Sequence, residues 1–333
     1  MAYPIALFHP TSVLMVDDEL GFLQNMVLDL PQDLPVRITD SPATLISEVA
    51  HLGDGLAIPN RGQRRPCVDS PLFDGLEGRL RDSGRFRTAS VVVADYDMPG
   101  MNGLELAASL RSTGVGIILL TGKADERIAV EAFNDGRIQR YVNKGSPDLG
   151  ERLAGYIRQL HENHMASQAQ MFQALSRTPW PTFTRDPAIF AHMAELRREH
   201  PITEWYASAR PPGFILLDAD GQMSRLLVIS ESELRTHLEV CEGEDAPAAL
   251  MEALASGEVA PLFPTTDGYY HRGLENWSDA LLTAHTVTGI ERYRVCMVRG
   301  DISLGPCDGH ISGLNTFLAH MDEQGLEIPD DDA

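Results

Sequence analysis

Residues 90–103 read Ser90-Val91-Val92-Val93-Ala94-Asp95-Tyr96-Asp97-Met98-Pro99-Gly100-Met101-Asn102-Gly103. The opening run is apolar without alternation, which predicts a strand covered on both faces. It ends abruptly at Asp95, in a turn rich in Pro and Gly. A buried strand delivering a carboxylate to a loop is the pattern from which the rest of the fold can be read.

Working outward, Ser12–Val16 is a second such strand, and it too ends in acid, Asp17-Asp18. Val115–Leu120 is a third and ends at Thr121-Gly122. Tyr141–Val142 forms the core of a fourth and leads to Lys144, while Val36–Thr39 supplies a fifth. Helical stretches separate them: Gly21–Leu30, Pro42 to about His51 behind a Ser41 cap, Leu104–Arg111, Asp125–Asn134 and Leu149–Leu160. Buried strands alternating with helices predict an α/β doubly wound fold with a five-stranded parallel sheet. Ligands of such sheets bind outside the carboxyl ends of the strands, where Asp17, Asp18, Asp95, Thr121 and Lys144 would meet. Three carboxylates there would repel one another and call for a cation. A hard, oxygen-only donor set suits Mg2+, which keeps several waters and binds through few carboxylates. A lysine and a hydroxyl opposite it could each hold one oxygen of a phosphoryl group, with one carboxylate as nucleophile.

These motifs resemble the response-regulator receiver domain of two-component signalling, a flavodoxin-like (CheY-like) fold, over about residues 10–160. The resemblance rests on Val13-Leu14-Met15-Val16-Asp17-Asp18-Glu19, on Asp95-x-x-Met98-Pro99-Gly100-Met101-Asn102-Gly103, on Thr121, and on Lys144 with Tyr141 three residues before it. It implies that Asp95 is the phosphoacceptor, that Asp17 and Asp18 hold Mg2+ with Asp95, and that the Asp97 backbone carbonyl completes the set. Thr121 and Lys144 would bind the phosphoryl group, and Thr121 with Tyr141 would report it as a switch. The implied partner is a sensor histidine kinase or phosphotransfer protein. Two departures stand out. Lys144 is followed by Gly145 where the family usually has proline, and His51–Arg87, rich in Gly, Pro and Arg, reads as an insertion. Asp97 and Lys123 flank the phosphoacceptor and are expected to tune phosphate lifetime.

The remainder of the chain reads differently. Leu149 can continue as one helix to about Leu175, either as a homodimer seam or as an ordinary packed helix, with His161 and His164 as surface residues. Arg177–Pro187, with Pro179, Pro181 and Pro187, ends it. Residues 161–180 are thus linker and boundary, 181–328 an α+β output domain, and 329–333 an acidic tail. In the output part Gly213–Leu217, Asp218-Ala219-Asp220-Gly221 and Ser224–Ile229 make a hairpin that resembles the first hairpin of a PAS-type sensor. Ser232–Val240, Pro247–Ser256 and Ser312–Met321 read as helices and Tyr293–Val298 as a strand. Tyr269, Tyr270, Trp277 and Tyr293 can line a pocket or fill a core.

Among 333 residues the net charge is −21. Residues 1–164 hold 16 basic and 22 acidic side chains and residues 165–333 hold 11 and 26, so the halves carry −6 and −15. The second half would repel nucleic acid, and no run reads as a basic recognition helix, so DNA binding is disfavoured. No run approaches the roughly 20 apolar residues of a membrane span, and no secretory leader is legible. Cys67, Cys241, Cys296 and Cys307 form no C-x-x-C pair, which fits a reduced, cytoplasmic protein. The expected function is phosphorelay from a histidine kinase to Asp95, altering dimerisation or protein contacts of residues 181–328. No enzyme activity is expected beyond the receiver's own phosphorylation and dephosphorylation. The alternative is a receiver-regulated small-molecule enzyme or sensor, needing His271 or His285 to meet Asp267 or Glu275. An extended receiver on a non-DNA-binding domain is also loosely similar to quorum-sensing response regulators.

Overall fold

The computed structural model describes residues 6–53, 76, 78–122, 125–175, 180–299 and 311–328. Most of the expected insertion, together with Lys123, Cys67, Cys307 and the acidic tail, lies outside these residues. The elements, in chain order, begin with β1 (Leu7–Phe8), β2 (Ser12–Val16), α1 (Leu20–Leu28), β3 (Val36–Thr39) and α2 (Pro42–Gly53). A 3-10 turn, Ser83–Arg87, precedes β4 (Ala89–Asp95), α3 (Gly103–Ser109), β5 (Gly116–Thr121), α4 (Glu126–Asn134), β6 (Arg140–Asn143) and α5 (Leu149–Leu175). Then follow α6 (Pro187–Glu199), β7 (Glu204–Ala209), β8 (Pro212–Leu217), β9 (Met223–Ser230), α7 (Glu231–Gly243), α8 (Ala248–Ser256) and β10 (Val259–Pro261). The last are β11 (Leu281–Thr283), β12 (His285–Thr288), β13 (Arg292–Arg299) and α9 (Leu314–Gln324).

Five strands form a parallel sheet in the order β3-β2-β4-β5-β6. The apolar runs are unalternating because both faces are covered. Val13 and Met15 pack with Leu23 and Met26 of α1 and with Leu153 and Ile157 of α5. Leu14 and Val16 pack on the other face with Leu45 of α2, Leu106 of α3 and Ala129 of α4. The strand order reverses between β2 and β4, which places the crevice of a doubly wound sheet beside the ends of those two strands.

A second, antiparallel sheet has the order β1-β7-β8-β9-β13-β12. The hairpin expected from Gly213 to Ile229 is β8–β9. Alternate residues of β9 face two cores: Leu226 and Val228 meet α6 and the second half of α5, whereas Leu227 and Ile229 meet α7 and α8. Helix α5 therefore serves both units. Its Leu153, Ile157 and Leu160 lie on the parallel sheet, and its Met165, Ala169 and Phe172 are buried in the output core, so this stretch packs within the chain.

Three expectations change. His161 is not a surface residue: it is 8% exposed, because β1 covers it and Phe8 stacks on its ring at 4.9 Å. Pro187 opens a helix rather than ending one, since Asp186 accepts a hydrogen bond from the Ala188 N–H and Pro187 tolerates the first turn. The four output aromatics do not form one group. Tyr293 is buried on one face of the sheet, and Tyr270 and Trp277 pack on the other.

The chain ends cross over. β1 pairs antiparallel with β7, Leu7 opposite Tyr206, and so belongs to the output sheet. At the other terminus Ile38 N–H donates to the Leu326 carbonyl and Ile328 N–H to the Ile38 carbonyl, so the C-terminal segment lines the receiver's edge strand. Between them lies a buried ion pair. Arg85 and Glu204 are both 0% exposed. The Arg85 guanidinium donates to Glu204 Oε2 at 2.7 Å and Oε1 at 2.8 Å, to the Ser312 carbonyl at 2.7 Å and to the Asp82 carbonyl at 3.1 Å. Tyr206 Oη donates to Glu204 Oε2 at 2.7 Å. Beside it Phe86 packs on Leu314 and Phe317 of α9.

Candidate functional site

The site is assembled by strand ends. Asp17 directly follows β2 and is fully buried. Its Oδ1 accepts from the Glu19 N–H at 3.1 Å, which fixes the carboxyl and turns Oδ2 toward Lys144 Nζ, 2.6 Å away. Asp95 terminates β4 at 5% exposure, and its Oδ1 lies 2.8 Å from the same ammonium. Asp18 is exposed beside them. Asp17, Asp18 and Asp95 each offer an oxygen within 4.8 Å of the others, a donor set that fits a hard divalent cation.

The loop after Asp95 is tightly specified. Asn102 caps α3, accepting from the Leu104 and Glu105 N–H groups, while Glu105 accepts from the Asn102 N–H in return. Gly103 is required, because a Cβ there would stand 2.3 Å from the Asp95 carbonyl oxygen. Gly100 occupies the left-handed region at φ +80°. The Asp-x-x-Met-Pro-Gly-Met-Asn-Gly run thus folds back over the end of β4. Asp97 lies in this loop with its side chain exposed.

Thr121 terminates β5. It is fully buried, and its Oγ1 has no hydrogen-bond partner. A buried hydroxyl without a partner costs free energy, so its presence at a site edge points to an absent acceptor. Lys144, just past β6, has its N–H bonded to the Thr121 carbonyl at 2.9 Å. Its pKa is raised: burial opposes the charge, but hydrogen bonds to Asp17 and Asp95 outweigh it. Burial pushes the Asp17 carboxyl up, against the pull of Lys144 and the Glu19 N–H. Among the described residues the single cis bond is Arg210–Pro211, so the Lys144–Gly145 bond is trans. Tyr141 is half-buried, edge-on to Phe133 with ring centroids 6.1 Å apart.

Sequence reasoning missed two neighbours of Lys144. Phe22 of α1 has its ring 4.9 Å from Nζ, and Asn143 accepts from the Gly145 N–H through its side chain at 2.8 Å. In the output part His271 does meet Asp267, at 3.0 Å, but the two are half exposed, as in an ordinary solvated pair. His285 instead stands edge-on to His192 at 4.8 Å. Among the described residues no helix is long and apolar enough to cross a membrane.

Residues 79–152 match the response regulator receiver domain family. The chain is 36% identical over 100 residues to hybrid signal transduction histidine kinase D of Dictyostelium discoideum, across 29% of this chain and 6% of that protein. It is 31% identical over 113 residues to transcriptional regulatory protein FixJ of Azorhizobium caulinodans, across 32% of this chain and 46% of that one. The chain spans about half or less of the length of these curated relatives. The structure of the response regulator LqsR of Legionella pneumophila superposes with a TM-score of 0.81 at 29% identity, covering 96% of this chain and 97% of that one.

Proposed function

Because this chain carries a response regulator receiver domain extended by a non-receiver C-terminal region, we propose that Asp95 accepts a phosphoryl group from the phosphohistidine of a sensor kinase or phosphotransfer protein. In the transfer an Asp95 carboxylate oxygen attacks phosphorus, the P–N bond to imidazole breaks, and the histidine leaves as the neutral base after protonation. Lys144 pairs with the incoming phosphoryl oxygens, and Thr121 Oγ1 donates to one of them. Asp17, Asp18, Asp95 and the Asp97 carbonyl are the residues to hold Mg2+, which would neutralise charge developing on the phosphoryl oxygens.

The observation that carries this reading is the position of Lys144 Nζ, 2.6 Å from Asp17 and 2.8 Å from Asp95, with the unpartnered Thr121 hydroxyl at the end of β5, the strand next to β4. Phosphorylation is then read out as a change in dimerisation or protein contacts of the C-terminal region. The test is to incubate the full chain with acetyl phosphate and Mg2+ and follow intact mass and molecular size. Wild type should gain one phosphoryl group, dependent on the metal, and Asp95→Asn should gain none. A wild-type protein that stays unmodified at saturating donor, or an Asp95→Asn variant that is modified equally, overturns the proposal.

A further inference from the structure

A lysine ammonium rides on four rotatable bonds and stays in one place only if something holds it. Here two groups outside the acid cluster do so. Below Lys144, the backbone is closed by an Asx turn: Asn143 Oδ1 accepts from Gly145 N–H at 2.8 Å, and the Asn143 carbonyl accepts from Ser146 N–H at 3.0 Å. Gly145 belongs to that turn, since a Cβ there would approach Asn143 Oδ1 to 3.2 Å. At the far end of the side chain, the half-buried Phe22 ring, 4.9 Å from Nζ, attracts the ammonium through its face. A ring face offers no lone pair to a divalent cation. It therefore holds the ammonium without competing for the metal and remains a partner when the carboxylates are engaged elsewhere.

We propose that Phe22 and Asn143 are positioning residues that clamp Lys144 at the phosphoryl site from its two ends. This rests on the reading of Asp95 as phosphoacceptor and adds two residues to it. The clamp sets where the ammonium waits before phosphoryl arrives.

The chain offers a direct readout, because it has two lysines, Lys123 and Lys144. In full-length protein labelled with lysine carrying 13C at Cε, Lys123→Arg leaves Lys144 as the single lysine signal. The Phe22 ring current should hold its Cε protons upfield of a free lysine. Phe22→Leu should move the signal to the free position and reduce beryllofluoride affinity and the acetyl phosphate reaction rate by about three- to tenfold, with unchanged KM for Mg2+. Phe22→Tyr keeps the ring and should restore both. Asn143→Ala should lower the rate, and Asn143→Asp, which keeps the acceptor, should preserve it. The clamp is overturned by a wild-type Lys144 signal already at the free position. It is equally overturned by a Phe22→Leu protein with wild-type affinity and rate, or by a Tyr variant no better than Leu. Wild type that takes up no phosphoryl group at all fails the function reading alone, because the lysine signal judges the clamp without any phosphoryl group.

Discussion

The two edges of the parallel sheet treat charge in opposite ways. At the amino edge, before β4, Arg85 and Glu204 are sealed from water, with Glu204 oxygens, two backbone carbonyls and the Tyr206 hydroxyl meeting the ions' hydrogen-bonding needs. At the carboxyl edge, about 20 Å away along the strand, one lysine is shared between two carboxylates, Asp18 faces water and the Thr121 hydroxyl bonds to nothing. The first arrangement is complete and resists change. The second keeps an exposed carboxylate and a hydroxyl without a partner. Here the sealed ion pair belongs to the architecture, and the unpartnered hydroxyl lies at the candidate site.

The largest expected effect lies at the sealed edge. Arg85→Ala leaves a buried carboxylate unpaired and should cost about 3–5 kcal/mol of unfolding free energy, measured by urea denaturation of the full chain. Loss of less than about 1 kcal/mol would mean water reaches Glu204, and the contrast between the edges would dissolve. The next effect comes from acid. Burial pushes His161 down to about 4, whereas an unfolded chain titrates near 6.5. Between those values the unfolded chain binds the proton that the folded chain refuses. The His161 contribution is therefore full above about pH 6.5 and is lost as pH falls toward 4, on the order of 3 kcal/mol for the whole window. The difference in stability between wild type and His161→Leu should shrink or change sign across that range. A difference that is flat with pH would place His161 in water. The smallest effect on stability sharpens the comparison most. Thr121→Val removes a hydroxyl that bonds to nothing, so stability should stay within about 1 kcal/mol of wild type or rise. Phosphoryl retention on Asp95, followed by mass, should nevertheless fall.

The carboxyl edge was legible in the sequence because Asp17, Asp95 and Thr121 each end a continuous apolar run, and Lys144 follows the short Tyr141–Val142 core. Asp17, Asp95, Thr121 and Lys144 are all placed by local pattern, and parallel strands bring their ends together by rule. The sealed edge was not legible. Arg85 and Glu204 are 119 residues apart, and β1 has two residues, too few to show a period. His161 looked exposed because nothing in its helix announces the strand that covers it. Helix α6 did carry a signal, the Asp186-Pro187 pair of a cap and first turn, which a reading of Pro187 as a breaker passes over. Asn143-Lys144-Gly145 carried one as well, since Asn two residues before Gly commonly closes a turn. Phe22 sits one helical turn past the acidic pair, but it is the fold that brings its ring to the lysine.

The interchange of chain ends has a consequence for how such a protein could be taken apart. A cut between the halves would strip each of a piece that the other half's stretch of sequence encodes: the output sheet would lose its edge partner Leu7–Phe8, and Ile38 would lose the backbone of Leu326–Ile328. Shuffling either half onto a foreign partner at the linker would therefore transplant an incomplete module. Each half is completed by a strand or backbone segment from the other.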